Sequence, residues 1–425
     1  MIRNLLLAIA MTIMPSSVFA QSSEDSLRLE QRGEDITAAM RGEAIYGEVF
    51  ADGFVNAVPE AQFLAILGQI ESQFGPMIGI ETVKPVTPNG AEISIRFERG
   101  LASGSFTLEE AAPFAITGFV LNDVRPIGDS VEQLVQDIAA LPGDTSILVT
   151  TLGDGEPIAA RNADEQFAIG STFKLYVLSA LARSIAAGER DWVDVVPLSV
   201  RSYPSGVSQD WPQGAPVTLH TLATLMISIS DNTATDQLID FLGRDAVEAE
   251  VAASGHADPH AMLPFLTTRE LFVLKSGDEI DPEEYRGADI TWRREALASL
   301  AGIERDEAQV RNAFTSGPNS IEIEWLASAN DIAAVLNRIV ALEDKTALGI
   351  LAVSSGVSDS MRADWDYVGY KGGSEPGVLN LSWLLRDNSG DWRVVTMSWN
   401  NAEAAVDQSA FELLGMRAIA LASGE

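Results

Sequence analysis

The order of strand-like and helical runs constrains the fold of this chain more than any other feature of its sequence. In residues 129–425, strand-like runs occur near both ends and apolar helical periodicity fills the stretch between them. The predicted strands are residues 146–152, 157–160, 367–372, 379–386 and 392–399. We therefore expect one antiparallel sheet with strands from both ends, packed on a helical layer, with a cleft between the layers.

A smaller unit precedes this one in residues 37–128. Two helical patterns open it, at residues 36–50 and 60–74, and three strand-like runs follow, at residues 92–97, 105–108 and 114–124. This order predicts a small α+β domain with a cone-like sheet. By pattern alone the unit resembles the small steroid-isomerase-like domains, whose cone can hold a ligand. We favour a packed core without a ligand, because no acidic and phenolic pair can be assigned to chemistry.

The amino terminus has the features of a secretory signal peptide in residues 1–20. Arg3 gives a short basic start, residues 5–14 form an apolar run, and Val18-Phe19-Ala20 ends in a small residue suited to cleavage. We therefore expect a periplasmic or secreted protein, with an uncleaved membrane anchor as the alternative. Residues 21–36 are polar and charged and predict a flexible lead-in. No later segment has the roughly 18 uninterrupted apolar residues of a membrane span.

Composition excludes several classes of function. The chain has no cysteine, which excludes disulfides, thiolate catalysis and cysteine-ligated zinc. Its formal net charge of −33 at pH 7 gives a surface that repels nucleic acid and anionic lipid. We expect a soluble protein that acts on a small molecule or a peptide without a metal or another cofactor. The sequence does not define the oligomeric state.

Ser171 and Lys174 are the first candidates for chemistry. The chain has five lysines among 28 basic residues, and only Lys174 has a serine three positions before it. The pair falls at the start of an apolar helical pattern, where one turn places residues i and i+3 side by side. Buried lysine can lose its proton, whereas arginine cannot. The pair therefore indicates a serine nucleophile with a lysine base, or alternatively a serine at a helix start beside a lysine that reaches solvent.

Two further motifs follow along the chain. Ser230-Asp231-Asn232 begins 59 residues after Ser171, at a break between helical patterns in residues 218–242. Lys371-Gly372-Gly373-Ser374 lies on a predicted strand. Taken singly, the first motif is a capping turn, because all three residues are good helix N-caps, and the second is a strand-end turn. Together with Ser171 and its lysine, they indicate one catalytic constellation.

The three motifs in this order resemble those of the serine β-lactamases and penicillin-binding proteins, most closely the class A-like β-lactamase branch. The resemblance covers residues 129–425. Three further stretches have counterparts in that family: Pro204-Ser205-Gly206, residues 214–219 and residues 267–270. The resemblance implies an α+β, class A β-lactamase-like fold with an antiparallel sheet and a helical subdomain, preceded here by the small cone-like domain.

The resemblance also implies the catalytic roles. Ser171 would attack a strained or activated carbonyl and form an acyl-enzyme, with Lys174 as the base. Lys371 would help to keep Lys174 neutral and would attract a substrate carboxylate. The hydroxyl of Ser230 would pass a proton to the leaving nitrogen.

Substrate binding is implied for three more residues: Asn232, Gly373 and Ser374. Asn232 would hold a substrate amide, and the backbone N–H groups of Ser171 and Ser374 would form an oxyanion hole. In the family a hydroxyl residue normally follows the lysine of the third motif. Gly372 stands there in this chain, so one contact to the substrate carboxylate is missing or has moved to Ser374.

The glutamate that activates the deacylating water in class A enzymes has no counterpart here. The corresponding stretch, residues 250–266, lacks the E-x-x-L-N motif. Glu250 and Glu270 flank it without the right neighbours. His256 and His260 lie inside it and are either a substitute base or simply solvated. The sequence therefore supports acylation and does not support fast deacylation.

Three functions remain open on these grounds. The first is a serine hydrolase that opens β-lactams or related esters and amides. Such an enzyme would break down β-lactam antibiotics and make the cell resistant to them. The second is a D,D-peptidase or transpeptidase on cell-wall peptides, and the third is a β-lactam-binding sensor that stays acylated. Residues 276–327 form an acidic helical insertion that is either a lid over the cleft or a peripheral elaboration.

Overall fold

A computed structural model describes residues 16–153 and 155–423 of the chain. These residues divide into two compact units, one ending at Gly128 and the other beginning at Asp129. Residues 1–15, which make up most of the predicted signal peptide, lie outside the described residues. Among the helices of the described ranges, none has both the length and the apolar character that a membrane crossing needs.

In its described residues, from 16 to 128, the first unit combines four helices with a four-stranded antiparallel sheet. Its helices are α1 (Ser16–Met40), α2 (Tyr46–Val49), α3 (Asp52–Ala57) and α4 (Glu60–Phe74). Its strands, in spatial as in chain order, are β1 (Met77–Thr87), β2 (Gly90–Phe97), β3 (Gly100–Leu108) and β4 (Ile116–Pro126). Phe50 and Phe63 are buried between the helices, with ring centroids 5.4 Å apart. The likeness to steroid-isomerase-like domains stays a prediction.

The prediction of a flexible lead-in at residues 21–36 is wrong, because these residues belong to helix α1. Leu29 and Ile36 lie seven positions apart and are both fully buried. Apolar residues at i and i+7 lie on one face of a helix, and the prediction gave too much weight to the polar residues between them. The helix predicted at residues 36–50 has the wrong bounds. Helix α1 already ends at Met40, and within that range only the short α2 follows it.

The main sheet of the second unit contains strands from both ends of the unit, as predicted. Its strands are β5 (Asp144–Thr151), β6 (Ala159–Arg161), β11 (Tyr367–Glu375), β12 (Val378–Arg386) and β13 (Trp392–Asn400). Two short strand pairs lie outside this sheet: β7 (Phe167–Ala168) with β10 (Leu326–Ala327), and β8 (Val195–Pro197) with β9 (Pro216–Thr218). The antiparallel order is β11-β12-β13-β5-β6, so that β5 pairs with β13 although more than 200 positions separate them.

Helices cover both faces of this sheet. In the described residues, the helices of the second unit are α5 (Val131–Ala139), α6 (Lys174–Ala186), α7 (Leu219–Ser228), α8 (Asn232–Leu242), α9 (Arg244–Ala253), α10 (Thr268–Lys275), α11 (Pro282–Gly287), α12 (Ile290–Leu300), α13 (Glu307–Ala313), α14 (Ala329–Ala341), α15 (Lys345–Leu351), α16 (Asp359–Arg362) and α17 (Gln408–Ser423). Ile147 and Val149 of β5 point into the core formed with α5 and α17, and Leu148 between them points into the core of the helical layer around α6. Alternate residues of a strand face opposite sides, which explains why a nearly continuous apolar run fits here.

The order of elements places the functional motifs at the boundary between sheet and helical layer. Helix α6 is buried along most of its length, including Lys174 at its first position. Helices α7 and α8 flank a break at Ser230, and β11 carries Lys371. The fold is therefore the predicted α+β arrangement of an antiparallel sheet and a helical subdomain.

Candidate active site

Ser171 lies on a short 3₁₀ helix, Gly170–Phe173, that leads directly into α6. The ring of Phe173 stacks on Trp325 with centroids 3.6 Å apart and an interplanar angle of 13°, which fixes the turn. Ser171 is half-buried and lines a cavity of about 260 Å³ together with Asn232 and Ser374. The structure therefore brings the predicted nucleophile and two predicted substrate-binding residues to one cavity, which we call the Ser171 cavity.

Lys174 is fully buried. Its Nζ lies 2.6 Å from the backbone oxygen of Ser230, 3.0 Å from Ser230 Oγ and 2.8 Å from Asn232 Oδ1, all within hydrogen-bond distance. In the described part of the chain it does not donate to Ser171, although the i, i+3 spacing places the two residues one turn apart. Catalytic hydrogen bonds are often long or absent in free enzymes and form with the substrate.

Ser230 lies in the break between α7 and α8, in a backbone conformation that non-glycine residues rarely adopt. Its φ of 56° is in the left-handed region, which costs about 1–3 kcal/mol. Two contacts hold it there: Ser205 Oγ donates to the Ser230 backbone oxygen at 2.7 Å, and Asn232 N donates to the Ser205 backbone oxygen at 3.0 Å. Asp231 caps α8 by accepting from Ala234 N at 2.9 Å. The capping turn and the catalytic motif are thus the same feature.

Lys371 approaches Ser230 from the sheet side. Its Nζ lies 3.2 Å from Ser230 Oγ, and it also donates to the backbone oxygen of Gly372. The Ser230 hydroxyl is therefore within hydrogen-bond distance of both Lys174 and Lys371. Residues from three separate motifs meet at this one oxygen, and we call Lys174, Lys371, Ser230 and Asn232 the base cluster.

The environment of the base cluster favours neutral lysine. Burial, and secondarily the charge of Lys371, lower the pKa of Lys174 well below its ordinary value, although Asp236 and Asp231 partly oppose this. Burial alone lowers the pKa of Lys371 to about 7. Desolvation disfavours an ammonium ion, so a lysine placed here can release its proton near neutral pH and accept another one.

Close packing explains the glycines of the third motif. A Cβ on Gly373 would lie 2.5 Å from the backbone nitrogen of Ser171, so that only glycine lets β11 approach the turn that carries the serine. A Cβ on Gly372 would lie 2.2 Å from the hydroxyl oxygen of Tyr370. The hydroxyl end of the Tyr370 side chain thus occupies the space that the Cβ of a larger residue after Lys371 would need.

The two glutamates at the ends of the stretch that corresponds to the E-x-x-L-N loop form structural hydrogen bonds and do not line the Ser171 cavity. Glu250 is buried and accepts from Ser179 Oγ at 2.6 Å and from Arg338. Glu270 forms the capping box of α10 and pairs with Arg244 at 2.6 Å. Neither is among the described residues that line the cavity.

The two histidines of the same stretch are also placed away from Ser171. His256 is buried, with Nε2 2.9 Å from the backbone oxygen of Leu326 and Nδ1 accepting from Asp258 N at 3.1 Å. His260 is exposed and lines a different cavity of about 340 Å³. Within residues 16–153 and 155–423, no three histidine or acidic side chains are grouped to hold a metal ion.

Sequence reasoning missed a buried charged group beside the same cavity: Lys275, Glu324 and Glu375, which we call the ion cluster. Lys275 Nζ lies 2.5 Å from Glu375 Oε1 and 3.7 Å from Glu324 Oε1, and the Lys275 side chain has no exposed surface. Both glutamates line the Ser171 cavity. Burial, and then the neighbouring Glu375, raise the pKa of Glu324 to about 8.

The ion cluster connects the backbone on both sides of the Ser171 cavity. The carboxylate of Glu324 is stabilised by the backbone N–H groups of Trp325 and Gly170, the residue before Ser171. Glu375 directly follows Ser374 at the end of β11. Lys275 thereby joins the two segments whose N–H groups would bind an oxyanion. The position of Glu375 was visible in the sequence, but nothing there connects it to residues 275 and 324.

An antiparallel sheet against a helical layer, with a serine turn, a Ser-Asp-Asn break and a strand lysine at their boundary, defines a member of the serine β-lactamase superfamily. The family model described as the β-lactamase enzyme family matches residues 129–351, more than half of the chain. The chain belongs to this family.

Several solved structures are similar to the chain. A β-lactamase from Sphaerobacter thermophilus is 24% identical, with 69% of this chain and 94% of that chain covered and a TM-score of 0.46. The protein PBP-A is 16% identical, with 69% and 94% covered and a TM-score of 0.47. A β-lactamase from Chitinophaga pinensis is 16% identical, with 69% and 97% covered and a TM-score of 0.45.

Proposed function

We propose that the protein is an exported serine hydrolase that forms an acyl-enzyme on Ser171 with β-lactams or related esters and amides. The observation that carries this proposal is the position of Ser230 Oγ, 3.0 Å from Lys174 Nζ and 3.2 Å from Lys371 Nζ beside the cavity that Ser171 lines. A hydroxyl between two buried lysines can pass protons between them and a bound substrate.

Acylation follows from these positions. Neutral Lys174 takes the proton of the Ser171 hydroxyl while Oγ forms a bond to the substrate carbonyl carbon. The N–H groups of Ser171 and Ser374 stabilise the developing oxyanion, a contribution of about 10²–10³ in rate for each donor. The carbon–nitrogen bond then breaks, and Ser230 gives its proton to the leaving nitrogen and regains one from Lys174. Asn232 binds a substrate amide, and charged Lys371 attracts a substrate carboxylate.

Three described residues that were candidates for the deacylating base are not placed for deacylation, which favours a second candidate function. Glu250, Glu270 and His256 are engaged in structural hydrogen bonds, so none of them is placed to activate a water at the ester. A protein that acylates quickly and hydrolyses the ester slowly serves as a β-lactam-binding sensor rather than as an efficient β-lactamase.

A time course of intact mass after addition of benzylpenicillin and of a cephalosporin tests the proposal. We expect the mass of the intact compound to be added once per chain, and Ser171→Ala to show no addition. Rapid return to the free mass indicates a hydrolase, and a persistent adduct indicates a sensor. Turnover of a peptide ending in D-Ala-D-Ala, without turnover of either antibiotic, would instead indicate a D,D-peptidase. No adduct and no turnover with any of these compounds would overturn the proposal.

A further inference from the structure

A second cavity adjoins the Ser171 cavity, and its lining residues do not belong to any of the three motifs. It has a volume of about 240 Å³, similar to the Ser171 cavity. Pro204, Phe272 and Phe314 line both cavities. We call the second one the side cavity, because these three side chains are all that it shares with the space around Ser171.

The side cavity has an apolar wall and a polar rim. Tyr203 and Phe272 meet edge to face with ring centroids 6.0 Å apart, and Phe272 and Phe314 meet in the same way at 4.7 Å. Val310 of α13 is buried and adds aliphatic surface. The other lining residues of α13 and its C-terminal end are polar and exposed: Glu307, Arg311 and Thr315.

The aromatic wall is fixed by contacts outside the cavity. The Tyr203 hydroxyl accepts a hydrogen bond from Arg305 N at 2.8 Å. The ammonium of Lys275, part of the ion cluster, lies 5.6 Å from the centroid of Phe314. Asp306 caps α13 by accepting from Ala308 N at 2.8 Å. A wall that is held in this way costs little to order when a ligand binds.

The helical insertion at residues 276–327 therefore supplies one side of a cavity next to the serine. Helix α13 and Phe314 both belong to this insertion. Neither a simple lid nor a peripheral elaboration requires a row of aromatic side chains that continues from the Ser171 cavity. The arrangement is what a site needs if the substrate extends beyond its reacting carbonyl.

We propose that the side cavity receives the apolar, aromatic end of the acyl side chain of the substrate that acylates Ser171. This inference rests on the proposed function. An apolar cavity of about 150 Å³ is enough to hold benzene, so the side cavity has room for a phenyl ring. Edge-to-face contacts with Phe272 and Phe314 suit a ring, whereas a charged side chain would lose its hydration against the aromatic wall. The substrate class is thus a β-lactam, ester or amide with an arylacetyl or similar side chain.

Two penicillins that share the reacting ring system test this inference. Benzylpenicillin has a phenylacetyl side chain, and 6-aminopenicillanic acid has none. We expect the second-order rate constant of acylation, measured on the full chain by intact mass or by competition with a fluorescent penicillin, to be at least tenfold higher for benzylpenicillin. Even one methylene in an apolar pocket changes specificity by about 10–200-fold.

Variants of Phe314 then locate the effect, with the ratio of the two rate constants as the readout. Phe314→Ala removes wall surface and Phe314→Trp fills the cavity, so we expect both to lower the ratio towards one. Phe241→Ala is the matched control, because Phe241 is also half-buried but lines neither cavity, and it should keep the ratio. The ratio is measured on the same folded molecules, so a partly unfolded sample does not change it.

The outcomes separate this inference from the proposed function. Adducts with both penicillins at equal rates would overturn the side-cavity inference and leave the proposed function intact. The same holds for a high ratio that neither Phe314 variant changes. The absence of both an adduct and turnover with either penicillin would overturn the proposed function and, with it, this inference.

Discussion

The base cluster and the ion cluster both bury lysine beside the Ser171 cavity, but they give it opposite surroundings. In the base cluster, Lys174 and Lys371 hydrogen-bond to hydroxyl, amide and backbone oxygens, and to no carboxylate of the described residues. In the ion cluster, Lys275 faces the carboxyl groups of two glutamates within 3.7 Å. All three lysine side chains are buried to a similar degree, so the partners make the difference.

Under the proposed function, this difference separates proton transfer from structural support. Neutral acceptors compensate a buried lysine only in part for the lost solvation of its charge, so its neutral form is favoured. A buried lysine between carboxylates keeps its charge, and removing it would leave negative charge unpaired in the interior. We therefore assign proton transfer to the base cluster and positioning of the oxyanion-binding backbone to the ion cluster.

Replacement of the base is expected to have the largest effect. Lys174→Arg keeps a positive charge but cannot accept a proton, so we expect the rate constant of acylation by benzylpenicillin to fall by about 10²–10⁴, the usual contribution of a general base. The measurement is intact mass against time. Lys345→Arg, at an exposed position, is the control and should leave the rate unchanged. A Lys174→Arg variant that keeps most of its rate would contradict the assignment of the base.

Much of the base cluster could be predicted from the sequence, because its residues lie in short motifs that can be recognised by their spacing and by the predicted helices and strands around them. Ser171 and Lys174 are one turn apart, and Ser230 falls where three good N-caps break a helical pattern. The spatial meeting of these motifs with Lys371 depended on the family resemblance. Strands at both ends of residues 129–425 likewise predicted the sheet, since strand-like runs there have no partners close in sequence.

The ion cluster and parts of the first unit were not predictable in the same way. Lys275, Glu324 and Glu375 come from three distant segments without a motif, and only tertiary packing shows that they meet. The edge strand β1 (Met77–Thr87) was missed because it is mostly exposed and lacks the alternation of a half-buried strand.

Removal of the lysine from the ion cluster should act on stability first. Lys275→Met leaves the buried Glu375 carboxylate without its cation, beside the carboxyl group of Glu324, and we expect the free energy of unfolding to fall by about 3–5 kcal/mol. Denaturant unfolding followed by circular dichroism measures this. The control is Lys84→Met, which removes an exposed ion pair with Glu92 and should change the value by less than about 1 kcal/mol. An equal decrease in the free energy of unfolding in the two variants would show that the ion cluster stabilises the fold no more than an exposed ion pair does.

The charge of Lys371 predicts a pH dependence of acylation. Its pKa of about 7 means that the ammonium form is present below pH 7 and is lost as the pH rises above it. If Lys371 attracts the substrate carboxylate, the second-order rate constant should fall by up to about tenfold per pH unit above pH 7. Lys371→Arg stays charged and should abolish this fall. An esterified penicillin without the carboxylate is the control, and an identical fall for it would contradict the role of the charge.

The smallest expected effect concerns the carboxyl group of Glu324. Its pKa is raised from 4.5 to about 8, so between these values the folded protein holds a proton that the unfolded chain releases. The free energy of unfolding of the wild type should therefore fall as the pH rises through this window. Glu324→Gln lacks this term, and its stability relative to the wild type should increase by about 1.3 kcal/mol from pH 6 to pH 7, a single pH unit inside the window. A relative stability that stays constant or decreases would show that Glu324 is ionised in the folded protein.

Peptide mapping of the acylated protein decides whether Ser171 is the nucleophile that the base cluster serves. After brief exposure to benzylpenicillin and quenching in acid, digestion and tandem mass spectrometry locate the penicilloyl group. We expect it on the Ser171 side chain in the wild type, and at much lower occupancy on the same atom in Lys174→Arg. A penicilloyl group on any other residue, or none at all on folded protein, would contradict the assignment of Ser171 as the nucleophile.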